Sequence, residues 1–406
     1  MTQTPSASSY PIVVDTDQHW AEPPELWVSR APAKWKDRVP KMIDDGERDV
    51  WIVEGSRMGS YSFNIIEDGG KKLFGAMTIE RFADADPSGS YAEPRLQRMD
   101  EMGLAAAIIY PNVIGFGAVD LLAHVKDREL VNVCAAIYNE AMADLQRDGK
   151  GRLFPQPIIP FWDIDEAVRT VRRVKDLGLH GVVLCDSPET CGADVPPLHN
   201  PHWNPLWEAL SEEDLPISSH VGSGKGRMRA AGACWPEFSM TQFMTLMPAE
   251  LFMSNSNTIG NVIISGLLER FPTLKFFSVE SGIGYLPFFL QALDHQYVEG
   301  GMNTTTELSM PPSHYFKRNM YGSFWFETHG LNEIIDYLGD DRVMFETDFP
   351  HPSCLYDDIR QQVDHLVQTF TPERANKIFY ENAKSLFKLP DLQPAPARAE
   401  ATVGAR

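Results

Sequence analysis

The sequence predicts an α/β protein with a (β/α)8 TIM-barrel fold. Eight short apolar segments are spread over residues 12–390, and most of them are separated by a segment long enough to form a helix. Short apolar runs of this kind are typical of buried parallel strands, whose two faces are both covered. Eight parallel strands with crossover helices favour a barrel, and the length of this region is within the range that such barrels reach with insertions.

The predicted elements cover most of the chain. The predicted strands are residues 12–19, 105–111, 153–160, 181–186, 216–220, 274–280, 319–326 and 342–348. The predicted helices include residues 91–104, 121–148, 164–177, 203–213 and 371–389. The last of these helical regions begins with a capping signal at Thr371.

Segments outside these elements are assigned by composition. Residues 28–92 mix charges, glycines and aromatics without sustained periodicity, so we interpret them as an insertion after the first strand that covers the site. Residues 1–11 are rich in Ser, Thr and Pro, and residues 391–406 are rich in Pro and Ala. We expect the first to be a flexible tail and the second to be disordered.

Composition and charge exclude several classes of partner. The 406 residues carry a formal net charge of −20, whereas nucleic acids and anionic membranes are bound by cationic surfaces. No apolar run approaches the roughly 18 residues of a membrane helix, and the polar start of the chain does not match a signal peptide. Five scattered cysteines without a CxxC pair fit reduced thiols. We therefore expect a cytoplasmic protein that acts on a small molecule.

Acids and imidazoles accumulate at the carboxyl ends of the predicted strands. In a barrel these ends converge beneath the loops, and a buried charge there is costly unless it is paired or binds a metal. The residues at these positions are Asp17, His19, Asp186, His220, Glu280 and Asp348. Asp17 and His19 are two positions apart on one strand and can face the same side. Their shared location favours a functional site.

Each of these residues also has a structural explanation. His220 could be a hydrogen-bonded structural histidine, and Asp348 could cap the turn that it opens. Asp17 could pair with an arginine. Glu22 and Asp186 could be a loop charge or a strand-end cap. It is the joint placement on three separate strand ends that favours a site over these alternatives.

The same residue types suit metal-assisted acid–base chemistry. A divalent metal among them would lower the pKa of bound water and polarise a substrate oxygen, and Asp348 could accept the released proton. Glu280 ends a hydrophobic strand, so burial could raise its pKa and make it a general acid or base. An ion pair or a further metal ligand is the alternative for Glu280.

Longer motifs connect these residues to a known family. They are Asp-Gln-His at 17–19 with Glu-Pro at 22–23, the segment 197–207, Phe-Glu-Thr-Asp-Phe-Pro-His at 345–351, and the segment 378–387. Together they resemble the amidohydrolase superfamily, and within it the branch that includes aminocarboxymuconate-semialdehyde decarboxylase and the resorcylate-type decarboxylases. The resemblance covers most of the chain.

The resemblance implies one divalent metal ion, Zn²⁺ or Mn²⁺, in a mixed imidazole and carboxylate site. The implied ligands are Asp17, His19, His220 and Asp348. No lysine ends the fourth strand, where binuclear members carry a bridging carbamate, so one metal is expected and not two. The resemblance also implies a homodimer.

Two enzyme activities remain open at this point. The first is non-oxidative C–C bond cleavage, chiefly decarboxylation, of an aromatic or unsaturated carboxylic acid. The second is hydrolysis of an amide, ester or C–C bond, because the sixth strand ends in Glu280-Ser281-Gly282 where characterised decarboxylases have a histidine pattern. A barrel that binds a ligand without catalysis is a third hypothesis, which the full set of metal ligands disfavours.

An aromatic pocket with a possible carboxylate clamp is the last expectation. The candidate substrate-binding residues are Trp20, Glu22, Trp162, Arg229, Trp325 and His351. Arg229 belongs to the loop 222–229, which has three cations in a very acidic protein. That loop could clamp a substrate carboxylate or be solvated and mobile.

Overall fold

Parallel strands in two sheets form the centre of the protein. The structure is a computed structural model that describes residues 10–60, 62–224 and 230–396. Its parallel strands are Val14–His19, Ala106–Tyr110, Leu153–Pro155, Val182–Val183, Ile217–His220, Phe276–Val279, Met320–Phe324 and Val343–Phe345. Each overlaps one of the predicted strands, and every residue in them is buried. The α/β class is therefore confirmed.

The strands pair in chain order. The first three form one sheet and the fourth to eighth form the other. Isolated parallel bridges link the two sheets along both edges: Ile158 pairs with Val183, and Gln18 pairs with Phe349. The second of these bridges pairs the first parallel strand with the segment that follows the eighth.

Helices follow most of the parallel strands along the chain. They are Leu26–Arg30, Ala92–Met102, Val119–His124, Arg128–Asp148, Ile164–Asp176, Asn204–Glu213, Met240–Phe252, Asn255–Ile264, Leu267–Arg270, Leu286–Glu299, Pro312–Asn319, Leu331–Leu338, Ile359–Thr369, Pro372–Asn376 and Asn382–Phe387. No helix in the described ranges is both long and apolar enough to cross a bilayer.

Local residue chemistry explains where the observed elements differ from the predicted ones. The predicted helix 121–148 is two helices, because the Asp127 carboxylate accepts hydrogen bonds from the N–H groups of Glu129 and Leu130 and starts a new helix. The predicted strand 153–160 ends at Pro155, where prolines remove the N–H groups that a longer ladder needs.

The segment 28–92 contains β-structure that its sequence does not reveal. Strands Lys41–Asp44, Asp49–Val53 and Ser56–Ser60 form an antiparallel sheet, and Ile66–Glu67 pairs with Lys71–Lys72. The turn between the second and third of these strands has positive φ at both Glu54 (47°) and Gly55 (78°), the conformation of a tight two-residue hairpin. A glutamate at such a position carries no turn signal in the sequence.

The end of the described chain packs against the body of the protein. Residues 391–396 have no regular secondary structure, but Leu392 is buried and its N–H donates to the Tyr380 hydroxyl at 3.1 Å. Arg360 donates to the carbonyl of Pro396 at 2.7 Å. The ordered chain therefore extends a few residues past the predicted boundary at 390. The rest of the predicted tails, residues 1–9 and 397–406, lies outside the described residues.

A buried arginine joins the helix Ala92–Met102 to the first strand. The Arg95 guanidinium donates to the carbonyls of His19 (2.6 Å), Gly89 (2.8 Å) and Ser88 (2.9 Å) and to the Gln18 side chain (2.9 Å). Burial lowers the pKa of Arg95 to about 9. Its planar fork satisfies several buried carbonyl groups at once, which an ammonium group could not do in the same geometry.

Replacing this arginine should destabilise the fold. We expect Arg95→Met to lower the free energy of unfolding by about 3 kcal/mol, because buried carbonyl groups lose their donors. Gln97→Met, at an exposed position of the same helix, should change it by less than about 0.5 kcal/mol. Urea unfolding of both variants measures the difference, and equal stabilities would contradict the role given to Arg95.

Candidate metal and catalytic site

The site lies where the first strand meets the segment after the eighth. The Asp348 N–H donates to the Asp17 carbonyl at 2.9 Å, and the His19 N–H donates to the Phe349 carbonyl at 2.7 Å. Beneath them, the Thr347 hydroxyl donates to the buried Asp15 carboxylate at 2.5 Å. These bonds place side chains from opposite ends of the sequence at one strand edge.

The four predicted metal ligands lie together in this place. The Asp17 Oδ1 atom is 3.3 Å from Nε2 of His19 and 3.3 Å from Nε2 of His220. His19 Nε2 is also 3.2 Å from Asp348 Oδ1. The side chains of all four residues are fully buried. Three strand ends thus converge on one point, as the sequence pattern predicts.

Glu280 and His351 complete the cluster. Glu280 Oε2 is 3.7 Å from His220 Nδ1, and His351 Nδ1 is 3.2 Å from Asp348 Oδ1. The His351 ring stacks on the His19 ring with 3.5 Å between centroids. Potential ligand atoms in two overlapping groups lie within 4.8 Å of one another; the groups are Asp17, His19, His220 and Glu280, and His19, Glu280, Asp348 and His351.

Backbone carbonyls decide which nitrogen of each histidine carries a proton. His19 Nδ1 is 3.1 Å from the Pro111 carbonyl, and His220 Nδ1 is 2.8 Å from the Val221 carbonyl. A carbonyl oxygen only accepts, so each Nδ1 is the donor and each Nε2 keeps its lone pair. Burial lowers the pKa of His19 to about 3 and that of His220 to about 4, which keeps both rings neutral.

This arrangement fits a divalent cation. Two imidazole lone pairs face carboxylate oxygens at 3.2–3.3 Å, which is repulsive unless a proton or a cation lies between them. Several buried atoms here have no hydrogen-bond partner; they include Asp17 Oδ2, His19 Nε2, Asp348 Oδ1 and His351 Nε2. Imidazole nitrogens and carboxylate oxygens together are ligands for Zn²⁺ or Mn²⁺.

Burial and mutual repulsion shape the acidity of the carboxylates. Burial, followed by repulsion from Asp348 and Asp17, raises the pKa of Glu280 well above its ordinary value. Burial alone would raise the pKa of Asp348, but the neighbouring His351 imidazole lowers it overall. The Ser353 hydroxyl lies 2.5 Å from Asp348 Oδ2 and 3.3 Å from Glu280 Oε1, so it links the two acids.

Two of the acids occupy strained backbone positions. Glu280 has φ of 51° and Asp348 has φ of 63°, in the left-handed region that disfavours residues other than glycine by about 1–2 kcal/mol. Each residue follows a parallel strand, and this conformation turns the chain at the strand end. Strain of this kind is concentrated at functional sites because the surrounding structure must maintain it.

A cavity of about 490 Å³ lies above the cluster. Glu280 and His351 reach it, and Phe116 lines it while stacking on the His220 ring with 3.8 Å between centroids. Most of its wall is apolar and comes from residues 63–77 and from the helix Met240–Phe252. A ligand in the cavity would therefore have one end at the acids and imidazoles and the rest among apolar side chains.

Most of the other predicted substrate contacts are not in this wall. Trp20, Trp162 and Trp325 are buried, and their indole N–H groups donate to Ser90, Asn132 and Ser353 respectively. None of the three lines the cavity. The expectation that they contact substrate is therefore wrong, and they pack within the protein instead. Position near a strand end does not reveal whether a tryptophan faces a cavity or the core. Arg229 lies outside the described residues.

Glu22 holds a loop instead of lining the cavity. Its carboxylate accepts hydrogen bonds from the N–H groups of Val113 at 2.9 Å, Asn112 at 3.2 Å and Ile114 at 3.4 Å. Burial raises its pKa to about 7. The loop that it holds leads from the second strand to Phe116, so Glu22 acts on the cavity through the backbone.

Sequence reasoning did not identify three parts of the cavity: Phe116, Ser353 and the helix Met240–Phe252. Of these three, only the helix has a sequence pattern from which it could have been predicted. It begins with a complete Ser239–Gln242 capping box and carries methionines at 240, 244 and 247, in the loop region after the fifth strand. Phe116 and Ser353 are single loop residues without a pattern.

A family profile decides what kind of protein this is. The Amidohydrolase family profile matches residues 14–389, nearly the whole chain. This chain belongs to the Amidohydrolase family. The matched region begins on the first strand of the site and ends beyond the last of its helices.

Relatives of this amidohydrolase include two kinds of enzyme. A gamma-resorcylate decarboxylase of Polaromonas sp. is 26% identical over 311 residues, which cover 73% of this chain and 86% of that protein. A 2-keto-4-carboxy-3-hexenedioate hydratase of Sphingobium sp. is 24% identical over 311 residues, with 72% and 81% covered. At these identities the chain shares the family, and the reaction needs a separate argument.

Solved structures share the fold of this amidohydrolase. An amidohydrolase from Mycobacterium avium subsp. paratuberculosis aligns with a TM-score of 0.72 and 23% identity over 94% of this chain and 100% of that one. A dihydroxybenzoic acid decarboxylase from Polaromonas sp., which has bound manganese and the inhibitor 2-nitroresorcinol, aligns with a TM-score of 0.59 and 19% identity. That alignment covers 93% of this chain and 97% of the other.

Metal content tests the site directly. We expect about one equivalent of divalent metal per chain in the wild-type amidohydrolase, and a large loss in His220→Ala and Asp348→Asn, because each removes a buried ligand. His202→Ala, at an exposed histidine, should keep the wild-type content. Elemental analysis after dialysis makes the comparison. A wild-type protein without metal after Zn²⁺ and Mn²⁺ have been supplied would contradict the assignment.

The loop-holding role of Glu22 is tested by an isosteric change. Glu22→Gln should lower the free energy of unfolding by about 1–2 kcal/mol, because an amide NH₂ would face a backbone N–H that now has an acceptor. The exposed Glu25→Gln serves as the control and should have wild-type stability. Thermal unfolding and metal analysis are measured together. Loss of metal at unchanged stability would assign Glu22 to the metal site instead.

Proposed function

We propose that this amidohydrolase-family protein is a metal-dependent decarboxylase that removes a carboxyl group from an aromatic carboxylic acid. The observation that carries the proposal is the position of Glu280. This acid, whose pKa is raised by burial, lies next to the metal-ligand cluster and lines the apolar cavity above it. Decarboxylation of an aromatic acid needs a proton donor for the ring carbon at such a place. The decarboxylase relative and the manganese-containing neighbour support the same activity.

The proposal includes a closed (β/α)8 barrel with an insertion over its active face. The bridges at Ile158–Val183 and Gln18–Phe349 support closure, because they link the two sheets along both edges. The insertion is residues 28–92, and Phe63, Phe74 and Met77 from it line the cavity. In barrels of this kind the active site lies at the carboxyl ends of the strands, where this cluster lies.

The residues of the cluster would divide the work in the following way. Asp17, His19, His220 and Asp348 would hold the divalent ion, with each histidine oriented by its Nδ1–H bond to a backbone carbonyl. Once bound, the ion supplies a positive charge that polarises a substrate oxygen. The stacked His351 ring keeps His19 in place from the cavity side.

Glu280 would supply the proton. Its protonated carboxyl group donates to the ring carbon that bears the carboxylate, the C–C bond then breaks, and CO₂ leaves while the ring recovers its electron pair. Glu280 is left as a carboxylate and takes a new proton from water after product release. The Ser353 hydroxyl, within hydrogen-bond distance of Glu280 and Asp348, would hold the carboxyl group in the donating orientation.

Addition of water is the second candidate function. The hydratase relative favours it, and so does the presence of a glutamate where the resemblance leads one to expect a histidine pattern at the end of the sixth strand. In that case Glu280 would act on water in place of a ring carbon, in hydrolysis or in hydration of a double bond. The two candidates differ in whether an oxygen atom of water enters the product.

The experiment measures CO₂ and oxygen incorporation together. Protein loaded with Mn²⁺ or Zn²⁺ is incubated with 2,6-dihydroxybenzoate and related aromatic acids in ¹⁸O-water. We expect CO₂ release and an aromatic product without ¹⁸O. Glu280→Gln should reduce the rate by about 100-fold or more while keeping its metal, because it removes a general acid. Product that contains ¹⁸O and no CO₂ would establish the second candidate. Loss of metal in Glu280→Gln would make Glu280 a ligand.

The remaining expectations belong to this proposal. The choice between Zn²⁺ and Mn²⁺ follows from which ion supports CO₂ release. A homodimer is proposed on the resemblance, and a cytoplasmic location on the scattered cysteines, which fit reduced thiols.

A further inference from the structure

We propose that the acid accepted by this site carries a large apolar substituent, which packs against the methionine face of the helix Met240–Phe252. This inference rests on the proposed function, because it assumes that the carboxyl group lies at the metal ligands. It goes further by naming the class of substrate. The evidence is the composition of the cavity wall, its charge and its size.

The helix Met240–Phe252 is apolar, but the described part of the protein fully buries none of its side chains. Eight of its thirteen residues belong to the apolar types, yet none of the thirteen is buried. Met240, Met244, Met247 and Leu251 all line the cavity, and their spacing of four, three and four residues places them on one face of the helix. A helix of this composition is usually buried by the protein itself. Here the cavity lies where other core side chains would be expected.

Apolar side chains from other parts of the chain also line the cavity. They include Phe63, Phe74, Met77 and Phe116. Phe74 is 80% exposed, so a large aromatic ring stands at the mouth of the cavity with much of its surface in water. Methionine side chains are unbranched and polarisable, and they adapt to ligands of different shapes. The apolar lining from these separate parts of the chain indicates a ligand group that is itself apolar.

The charge of the described part of the wall disfavours a second anionic group at this end of the ligand. Among the described residues that line the cavity there is no lysine or arginine, whereas Asp120 and Glu280 are acids. A ligand carboxylate held away from the metal site would therefore meet apolar side chains and acids, and would lose its hydration without compensation. An uncharged alkyl or aryl substituent has no such cost.

The size of the cavity agrees with this assignment. A volume of about 490 Å³ is within the range of roughly 300–1,000 Å³ for sites that enclose drug-sized ligands. A single ring with a carboxyl group and two hydroxyl groups would leave much of this apolar space to water. An additional substituent would displace that water, and each methylene removed from water is worth about fourfold in binding.

The first test compares two acids. The probes are 2,6-dihydroxybenzoate and its 4-pentyl derivative, in which the chain is opposite the carboxyl group and would point away from the metal ligands. Binding to the Mn²⁺-loaded full-length protein is measured by calorimetry, and CO₂ release is measured separately. We expect the pentyl acid to bind at least about tenfold more tightly. Equal or weaker binding of the pentyl acid would overturn the inference.

Matched variants locate the substituent. Met244→Gln and Met247→Gln keep the side-chain size but place an amide in the cavity wall, whereas Leu246 is a partly buried residue of the same helix that does not line the cavity. The two methionine variants should each weaken binding of the pentyl acid at least about fivefold more than they weaken binding of the parent acid. Leu246→Gln should change neither. Equal effects of all three variants would contradict the contact.

The two measurements separate this inference from the proposed function. If neither acid releases CO₂ but the pentyl acid binds more tightly and depends on Met244, the reaction is wrong and the ligand class stands. If the parent acid releases CO₂ and the pentyl chain brings no gain in affinity, the ligand class is wrong and the decarboxylase proposal stands. Circular dichroism of every variant confirms that the comparison is between folded proteins.

Discussion

The site depends on the pairing of the first strand with the segment after the eighth. Two backbone hydrogen bonds, from Asp348 to Asp17 and from His19 to Phe349, join chain segments that are more than 300 residues apart in sequence. Two further hydrogen bonds join the same segments: the backbone N–H and the hydroxyl group of Thr347 both donate to the Asp15 carboxylate. Two carboxylates of the cluster, Asp17 and Asp348, and two of its imidazoles, His19 and His351, are on these two segments. The pairing that links the sheets therefore also builds the site.

Electrostatic repulsion is the constraint that this pairing creates. Asp17, Glu280, Glu346 and Asp348 are all buried, and the Nε2 atoms of His19 and His220 turn lone pairs and not protons toward carboxylates. A protein can tolerate buried acids of this density when they are protonated or when they surround a cation. The left-handed backbone at Glu280 and Asp348 adds a further cost. A divalent ion at this point offsets both effects, so metal binding and the stability of the strand ends are coupled.

The sequence predicts the part of the site that follows from strand ends. Asp17, His19, His220 and Asp348 come together because parallel strands bring their carboxyl ends to one edge, and a run of apolar residues marks each strand. The same reasoning does not predict the surroundings of the tryptophans, because the burial of a side chain depends on neighbours that are distant in sequence. Trp325, for example, packs on Phe252 with 5.0 Å between ring centroids. The hairpins within residues 28–92 are not predicted because a Glu-Gly turn and strands of two to five residues have no strong periodic signal.

The raised pKa of Glu280 requires that water is kept away from its carboxyl group, whereas the open cavity beside it admits water. The proton of Glu280 is held by burial, yet its carboxyl group must lie at the surface of a cavity that a substrate can enter. An apolar substituent between the methionine face and Phe116 would resolve this conflict, because it would exclude water from the wall next to Glu280 as the carboxyl end reaches the metal ligands. Exclusion of water strengthens every electrostatic interaction at the floor of the cavity. The ligand would then supply the part of the core that the helix Met240–Phe252 lacks.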